Sequence, residues 1–192
     1  MLRIILASGS PRRKQLLEVL NINFNIILPD VDESLYLPEG SPEDYCSLLA
    51  GLKADNVSRN NSESLVIGAD TIVVIGSKII GKPTDKADAV QMLKELSGNT
   101  HTVHTAVALR MPSQHLNKTF VESTQVTFRD LSEQSINYYI DNHAPYDKAG
   151  SYGIQDFSAV FVKSLTGCYH NVMGFPISRF HFELSKLNIA IN

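Results

Sequence analysis

The sequence predicts an α/β fold built around a mixed, twisted sheet with flanking helices. Short apolar runs typical of buried strands recur along the 192 residues, and segments with helical spacing lie between them. Gly76-Ser77 separates two of the apolar runs and indicates a tight hairpin, so at least one strand pair is antiparallel. Hydrophobic residues make up 43% of the chain, enough for a core in a single domain over residues 1–192 or in two closely packed lobes.

Each predicted element has a start or stop signal. Residues 3–7 are short and continuously apolar, as in a buried strand, and Ser10 and Pro11 then suit the start of a helix over 12–20. The remaining predicted helices cover 42–57, 85–96, 132–142 and 176–187. The remaining predicted strands cover 24–28, 65–70, 71–75, 78–80, 102–110 and 118–128, with a loop and strand over 150–162.

Composition excludes several classes of function. The formal net charge of −3 gives no global basic field for a nucleic-acid polymer, so an anionic ligand has to be met by local cations. Cys46 and Cys168 are the only cysteines, which excludes a cysteine-rich zinc site and a disulfide framework. The apolar run at residues 2–7 is too short for a membrane span and lacks the features of a signal peptide. We therefore expect a cytoplasmic protein with no membrane partner.

Residues 8–14 (SGSPRRK) form a candidate anion site. A strand runs into small residues that open a helix, where free backbone N–H groups and the helix dipole favour an anion. Arg12, Arg13 and Lys14 place three positive side chains in that first turn, where they oppose the dipole unless an anion such as a triphosphate is bound. A solvated basic helix start is the alternative.

Two carboxylates are candidates for metal or proton chemistry. Asp70 ends the predicted strand 65–70, and open α/β sheets place ligands at the carboxyl ends of their strands. Glu33 lies in an acidic loop and, together with Asp70, would supply two oxygen ligands to Mg²⁺ or Mn²⁺. The alternatives are a turn-capping aspartate and a solvated acidic loop.

Three further positions carry weaker signals. Lys82 stands between a glycine and a proline, which holds its point charge in a place suited to phosphate. Gln155 ends the glycine-rich segment 147–155 and has both the donor and the acceptor needed to read a base edge. Lys53, on the predicted helix 42–57, has the weakest signal of its own. An exposed turn lysine and a plain glycine-rich turn are the alternatives.

Taken together, these segments resemble the Maf family of nucleotide pyrophosphatases. The resemblance is collinear over almost the whole chain, and the ordered set is highly specific although each motif alone is modest. The matching segments are LASGSPRR (6–13), GADT (68–71), GKP (81–83), LSGNTH (96–101), DKAGSYGIQ (147–155) and NVMGFP (171–176). Two departures are Gly51-Leu52 before Lys53, where the family more often has Arg-Glu, and Phe175, where leucine is usual.

The resemblance implies a two-lobed α/β fold related to the inosine triphosphate pyrophosphatases, with the site in a central cleft. It also implies a divalent metal (Mg²⁺, Mn²⁺ or Co²⁺), often a homodimer, and Asp70 as the proton acceptor. The positions implied to line the phosphate and metal region are Ser8, Arg13, Glu33, Lys53 and Lys82. The positions that distinguish the dTTP/UTP subgroup from the 7-methyl-GTP subgroup are Arg12, Thr71 and Gln155.

The resemblance, together with these residues, leads to one hypothesis of function: hydrolysis of a nucleoside triphosphate, dTTP or UTP, to the monophosphate and pyrophosphate. Asp70 orients or deprotonates a water that a metal has made more acidic, and the cations neutralise the departing pyrophosphate. Two alternatives stay open. One is the same reaction on 7-methyl-GTP or another modified nucleotide; the other is a non-catalytic nucleotide-binding regulator of cell division.

Overall fold

A computed structural model of the protein describes residues 2–187 and residue 189. Its helices are α1 (Pro11–Glu18), α2 (Pro42–Ser58), α3 (Lys86–Leu96), α4 (Glu133–His143), α5 (Tyr169–Val172) and α6 (Ile177–Lys186). Its strands are β1 (Ile4–Ala7), β2 (Asn25–Ile26), β3 (Leu65–Ile75), β4 (Lys78–Ile80), β5 (Thr100–Met111), β6 (Leu116–Phe128) and β7 (Val162–Thr166). In the described part of the chain, no helix has the length and apolar character needed to cross a membrane.

Within the described residues, seven strands form one mixed sheet in the order β2-β1-β3-β5-β6-β7, with β4 paired to β3. β1 is parallel to β2 and to β3, and its register with β3 ends where Ala7 lies opposite Gly68. β3 and β4 are antiparallel on either side of Gly76-Ser77, as are β6 and β7. The predicted α/β class, mixed sheet and hairpin are therefore confirmed.

The chain folds into two compact units, each assembled from separate stretches of sequence. The first unit takes the described residues of 1–70, 105–122 and 174–192, and the second takes 71–104 and 123–173. The long strands β3, β5 and β6 therefore contribute residues to both units.

The first unit is organised around β1, α2 and the first part of β3. Parallel strands covered on both faces are apolar throughout, and all four residues of β1 are buried. α2 begins with a capping box in which the Asp44 amide donates to Ser41 Oγ at 3.2 Å and the Ser41 amide donates to the Asp44 carboxylate at 3.1 Å. Phe175 is fully buried against Phe180, with ring centroids 5.0 Å apart.

The second unit has its own apolar core. Buried side chains from its strands and helices meet there, including Val73, Leu93, Val103, Phe128 and Tyr139. Beside them, His101 Nε2 lies 2.8 Å from the Tyr152 hydroxyl. His101, Tyr152 and Phe128 pack edge to face in pairs, with centroids 4.9–5.4 Å apart.

Two predictions of strand limits are wrong. β3 does not end at Asp70 but runs on to Ile75, because its second part pairs with β4 across the hairpin. The strand predicted within 150–162 begins only at Val162, and two short 3₁₀ helices, Ala149–Ser151 and Phe157–Phe161, precede it. The Asp156 side chain accepts a hydrogen bond from the Ser158 amide at 3.1 Å, a local bond that favours a turn over a strand.

Candidate active site

Asp70 is placed by a close contact between β3 and α2. It lies two residues beyond Gly68, where the parallel register of β1 with β3 ends, and it is only 7% exposed. A methyl group at Gly68 would lie 2.7 Å from the Ala54 amide nitrogen and closer still to the Ala50 carbonyl oxygen, so only glycine lets α2 approach this far. The strand therefore continues past the carboxylate, yet Asp70 still follows the carboxyl end of a parallel pair, where ligands bind in α/β sheets.

Lys53 joins two carboxylates at the centre of the candidate site. Its side chain, 11% exposed, projects from α2 and brings Nζ within 2.6 Å of Asp70 Oδ1 and 2.9 Å of Glu33 Oε1. A buried charge is costly unless it is paired, and here the single ammonium of Lys53 pairs with both carboxylates. The acidic loop, the helix and the strand thus meet at one ammonium group.

Glu33 opens a short 3₁₀ helix that runs to Leu35, and its own side chain is about half exposed, at 46%. The Asp32 carboxylate caps this turn by accepting hydrogen bonds from the Ser34 amide at 3.0 Å and from the Ser34 hydroxyl at 2.6 Å. The Tyr45 hydroxyl, on α2, donates to the Tyr36 carbonyl at 3.3 Å. The loop is therefore tied to the same helix that carries Lys53.

Ser8 and Arg13 belong to the same unit and contact each other. Arg13 Nη1 donates to Ser8 Oγ at 3.2 Å, and Arg13 Nε donates to the Gly174 carbonyl at 2.9 Å. Burial lowers the pKa of the Arg13 guanidinium, and the negative charges of Asp70 and Glu33 partly offset that effect. Arg13 therefore lies within electrostatic range of both carboxylates.

The start of α1 has the form that the sequence predicts. Ser10 is the N-cap, with Oγ accepting from the Arg13 amide at 3.5 Å; Pro11 is the first helical residue, and no acidic residue stands in the first turn. Arg12 is half-buried, and its charge helps to lower the pKa of Arg13. Lys14, by contrast, pairs with Glu18 at 3.4 Å. Among the three cations in this turn, Arg13 contacts Ser8.

The predicted residues Thr71, Lys82 and Gln155 belong to the second unit. Thr71 is half-buried in β3, Lys82 is exposed between β4 and α3, and Gln155 is exposed between the two 3₁₀ helices. The Gly150 amide donates to the Gly81 carbonyl at 2.9 Å, so the two glycine-containing motifs lie side by side. Gly150 has φ of 67°, a conformation that favours glycine.

The loop that carries Gln155 is held by its own hydrogen bonds. The Ser158 hydroxyl donates to the Gly153 carbonyl at 2.9 Å and also accepts from the Gly153 amide at 3.0 Å. A methyl group at Gly153 would lie 2.8 Å from Asp156 Oδ2 and 3.1 Å from the Lys148 side chain. This packing leaves the Gln155 side chain exposed on a turn that is held by hydrogen bonds.

A sequence model of the family described as Maf-like protein matches residues 3–187. The chain belongs to this family. Its relatives include proteins from Bacillus anthracis, Bacillus cereus and Bacillus thuringiensis that are named dTTP/UTP pyrophosphatase. Each is 48% identical over 191 residues, which cover 100% of this chain and 98% of the relative.

A solved structure of a HAM1 protein from Coxiella burnetii is similar in fold to this Maf-like chain. The TM-score is 0.55 at 15% sequence identity, and the match covers 97% of this chain and 100% of the other. At that identity the likeness supports the α/β fold alone.

Sequence reasoning missed Cys46 as a neighbour of the Maf-like site. Cys46 is fully buried, and its thiol donates to the Asp70 carbonyl at 3.4 Å and lies 4.0 Å from Asp70 Oδ2. Burial and the charge of Asp70 raise the pKa of the thiol to about 12, so it stays protonated and does not act as a nucleophile. The spacing of seven residues between Cys46 and Lys53, which places both on one face of α2, was the available signal.

The carboxylate pair of this Maf-like chain fits one type of metal ion. Among residues 2–187 no group of three or more His, Cys, Asp or Glu side chains could hold an ion. Glu33 Oε1 and Asp70 Oδ1 nevertheless both reach a single cationic atom, Lys53 Nζ. Mg²⁺ commonly binds through one or two carboxylates plus substrate phosphates and water, so two converging carboxylates are sufficient.

Proposed function

We propose that the protein hydrolyses nucleoside triphosphates, with dTTP and UTP as the preferred substrates, to the monophosphate and pyrophosphate. The observation that carries the proposal is the position of the Lys53 ammonium between the Asp70 and Glu33 carboxylates. Arg13 is close enough to interact electrostatically with both carboxylates. Such a cluster combines an acceptor for a water proton with cations that bind phosphate. Relatives 48% identical over the whole chain and named dTTP/UTP pyrophosphatase support this reaction and these substrates.

Asp70 is the proposed proton acceptor. Its side chain is buried, and its backbone carbonyl accepts from the Cys46 thiol, which supports a fixed position from which the carboxylate can orient a water. The water oxygen forms a bond to the α-phosphorus while the bond from that phosphorus to the α–β bridging oxygen breaks. Asp70 takes the water proton, and pyrophosphate leaves with the electron pair of the broken bond.

Four cations are proposed to bind the triphosphate and the leaving pyrophosphate: Arg12, Arg13, Lys53 and Lys82. Arg13 is held by Ser8 and by the Gly174 carbonyl, which supports a fixed position for its guanidinium. Catalysis of phosphoryl transfer rests on positioning and on stabilising charge in the transition state, so fixed cations are the effective ones.

A divalent cation is the proposed cofactor, with Glu33 and Asp70 as its protein ligands and Mg²⁺, Mn²⁺ or Co²⁺ as the candidates. The convergence of the two carboxylates supports this assignment. When bound, the ion would neutralise phosphate charge and lower the pKa of the attacking water. That effect lets a carboxylate, an ordinarily weak base, serve as the acceptor.

Arg12, Thr71 and Gln155 are proposed to select the base. The exposed, well-ordered position of Gln155 supports this role, because a base-reading amide has to be accessible and fixed. A site that hydrogen-bonds a base edge rejects analogues that leave its polar groups unpaired. Exchanging the three residues for Trp, Gln and Glu should shift the preference towards 7-methyl-GTP, and unchanged pyrimidine preference would contradict the assignment.

The deciding experiment is a panel of nucleoside triphosphates assayed for pyrophosphate release with Mg²⁺, Mn²⁺, Co²⁺ or a chelator. We expect dTTP and UTP to be the best substrates and the chelator to stop the reaction. Preference for 7-methyl-GTP would move the chain to the other subgroup. Binding of triphosphates without release of pyrophosphate would favour a regulator that only binds.

A homodimer is proposed from the family resemblance alone, and the cytoplasmic location stays a prediction. Size-exclusion chromatography with light scattering should give twice the mass of the chain. The mass of a single chain would contradict the dimer.

A further inference from the structure

The ammonium of Lys53 already occupies the place of a cation between the two proposed metal ligands. Nζ lies 2.6 Å from Asp70 Oδ1 and 2.9 Å from Glu33 Oε1. The Lys53 and Asp70 side chains are 11% and 10% exposed, so solvent screens this pair weakly, whereas the Glu33 side chain is 46% exposed. The two carboxylates are therefore held together, and neutralised in part, by a group of the protein itself.

We propose that Lys53 is an exchangeable counter-ion that competes with the divalent metal for Glu33 and Asp70 and so sets the affinity of the site. The inference rests on the proposed metal ligands of the preceding section. A metal ion shared by the two oxygens and an ammonium shared by the same two oxygens would lie almost in the same place. Their like charges repel strongly in a buried site, so one excludes the other.

The surroundings of α2 favour movement of the Lys53 side chain over movement of the helix. On one side, the contact of Gly68 with Ala54 leaves no room for α2 to come closer to β3. On the helix, Arg110 Nε pairs with Asp55 at 2.6 Å, and a methyl group at Gly51 would lie 3.2 Å from Arg110 Nη2. A lysine carries its charge on a flexible four-carbon stem, so rotation of that stem releases the carboxylates while α2 stays in place.

The exchange couples metal binding to phosphate binding. While Lys53 lies between the carboxylates, its ammonium is paired with Glu33 and Asp70. Once a metal ion binds these carboxylates, the ammonium can pair with a phosphate instead. Coupling of this kind is reciprocal, so triphosphate that binds Lys53 should also strengthen metal binding. Gly51 leaves room for the Arg110 guanidinium, which pairs with Asp55 on α2; a side chain at position 51 would contact that guanidinium.

The first test measures Mn²⁺ binding to the triphosphate-free protein by electron paramagnetic resonance or calorimetry at neutral pH. Lys53→Met should tighten binding by about tenfold, within the range common for coupled sites, because it removes the competitor and keeps an apolar stem. Lys53→Arg, which keeps the charge, should bind no more tightly than the wild type. Lys78→Met is the matched control: Lys78 pairs with Glu95 on the surface, so this variant removes one charge elsewhere and should leave affinity unchanged.

The second test uses the unaltered protein and does not depend on the folding of a variant. Reductive methylation followed by mass spectrometry reports how readily each lysine amine reacts. Mn²⁺ should increase the modification of Lys53 severalfold, because the amine leaves its two carboxylates, while Lys78 should react equally with and without the ion.

The inference is overturned if folded Lys53→Met binds Mn²⁺ no more tightly than the wild type, or if Mn²⁺ leaves the reactivity of Lys53 unchanged. Glu33→Gln separates this result from a failure of the proposed function. Loss of Mn²⁺ binding in that variant identifies the site, whatever the triphosphate panel shows. If no triphosphate in the panel releases pyrophosphate, the proposed reaction is contradicted. The competition between Lys53 and the metal is then still tested by the Mn²⁺ binding measurement.

Discussion

Gly68→Ala should push α2 away from β3 and disturb the Lys53 bridge. The added methyl would lie 2.7 Å from the Ala54 amide nitrogen and 2.8 Å from Ala54 Cβ. Ordinary contacts begin near about 3.5 Å, so the helix has to retreat by roughly 1 Å. Overpacking lowers the free energy of unfolding by about 1–3 kcal/mol. We expect the upper end of this range here, because the added methyl contacts backbone atoms, which cannot rotate away. For a chain of this size about 3 kcal/mol lowers Tm by about 6–12 °C.

Urea unfolding followed by circular dichroism measures the effect. Gly81→Ala is the matched control for stability, because a methyl group there meets nothing within 4 Å and the backbone has no positive φ. We expect the control to unfold close to the wild type and Gly68→Ala to unfold at clearly lower urea. Triphosphate turnover should also fall in Gly68→Ala, because the backbone that carries the Lys53 side chain moves away from Asp70 with α2. Equal midpoints for the two variants would refute the close-contact argument.

Three further predictions follow from the site and its surroundings. Asp70→Asn should lower kcat by at least about 100-fold with an unchanged circular dichroism spectrum, and near-normal turnover would contradict its role as proton acceptor. Cys46 should resist iodoacetamide in the folded protein at mildly alkaline pH, because burial raises its pKa to about 12; its labelling, detected by mass spectrometry, would contradict that burial. Glu183→Gln should destabilise the protein most near neutral pH, because hydrogen bonding to Lys118 lowers the pKa of Glu183 to about 2. The difference in urea midpoint between the wild type and Glu183→Gln should decrease as pH falls from about 4.5 to about 2, because Glu183 becomes protonated. A difference that does not change with pH would rule out this ionic contribution.

The fold could be predicted where the signals are local. α2 begins at Pro42 as expected, because Ser41 and Asp44 carry the cap within four residues of sequence. The end of β3 could not be predicted in this way, because its continuation past Asp70 depends on pairing with β4. The single turn α5 is too short to show a helical period, so the sequence does not predict it.

The candidate site could be predicted as a list of residues more readily than as an arrangement. Asp70 stands out because a carboxylate at the end of an apolar segment needs a partner, and Glu33 stands out as an oxygen ligand in an acidic loop. Lys53 has no local signal, and its place between them arises only when Gly68 lets the helix approach the strand. The Cys46 contact depends on the same approach. Long-range packing, which a single sequence does not encode in any one motif, therefore decides the geometry.

The way the chain is shared between the two units limits how the protein can be cut and recombined. Three boundaries between the units, after Asp70, His104 and Glu122, fall inside β3, β5 and β6. At each of them, consecutive residues of one strand belong to different units. A gene fragment that encodes either half alone would expose severed strand edges, and such edges promote aggregation. A crossover between homologues at any of these three boundaries would join strand residues from two different proteins inside one strand.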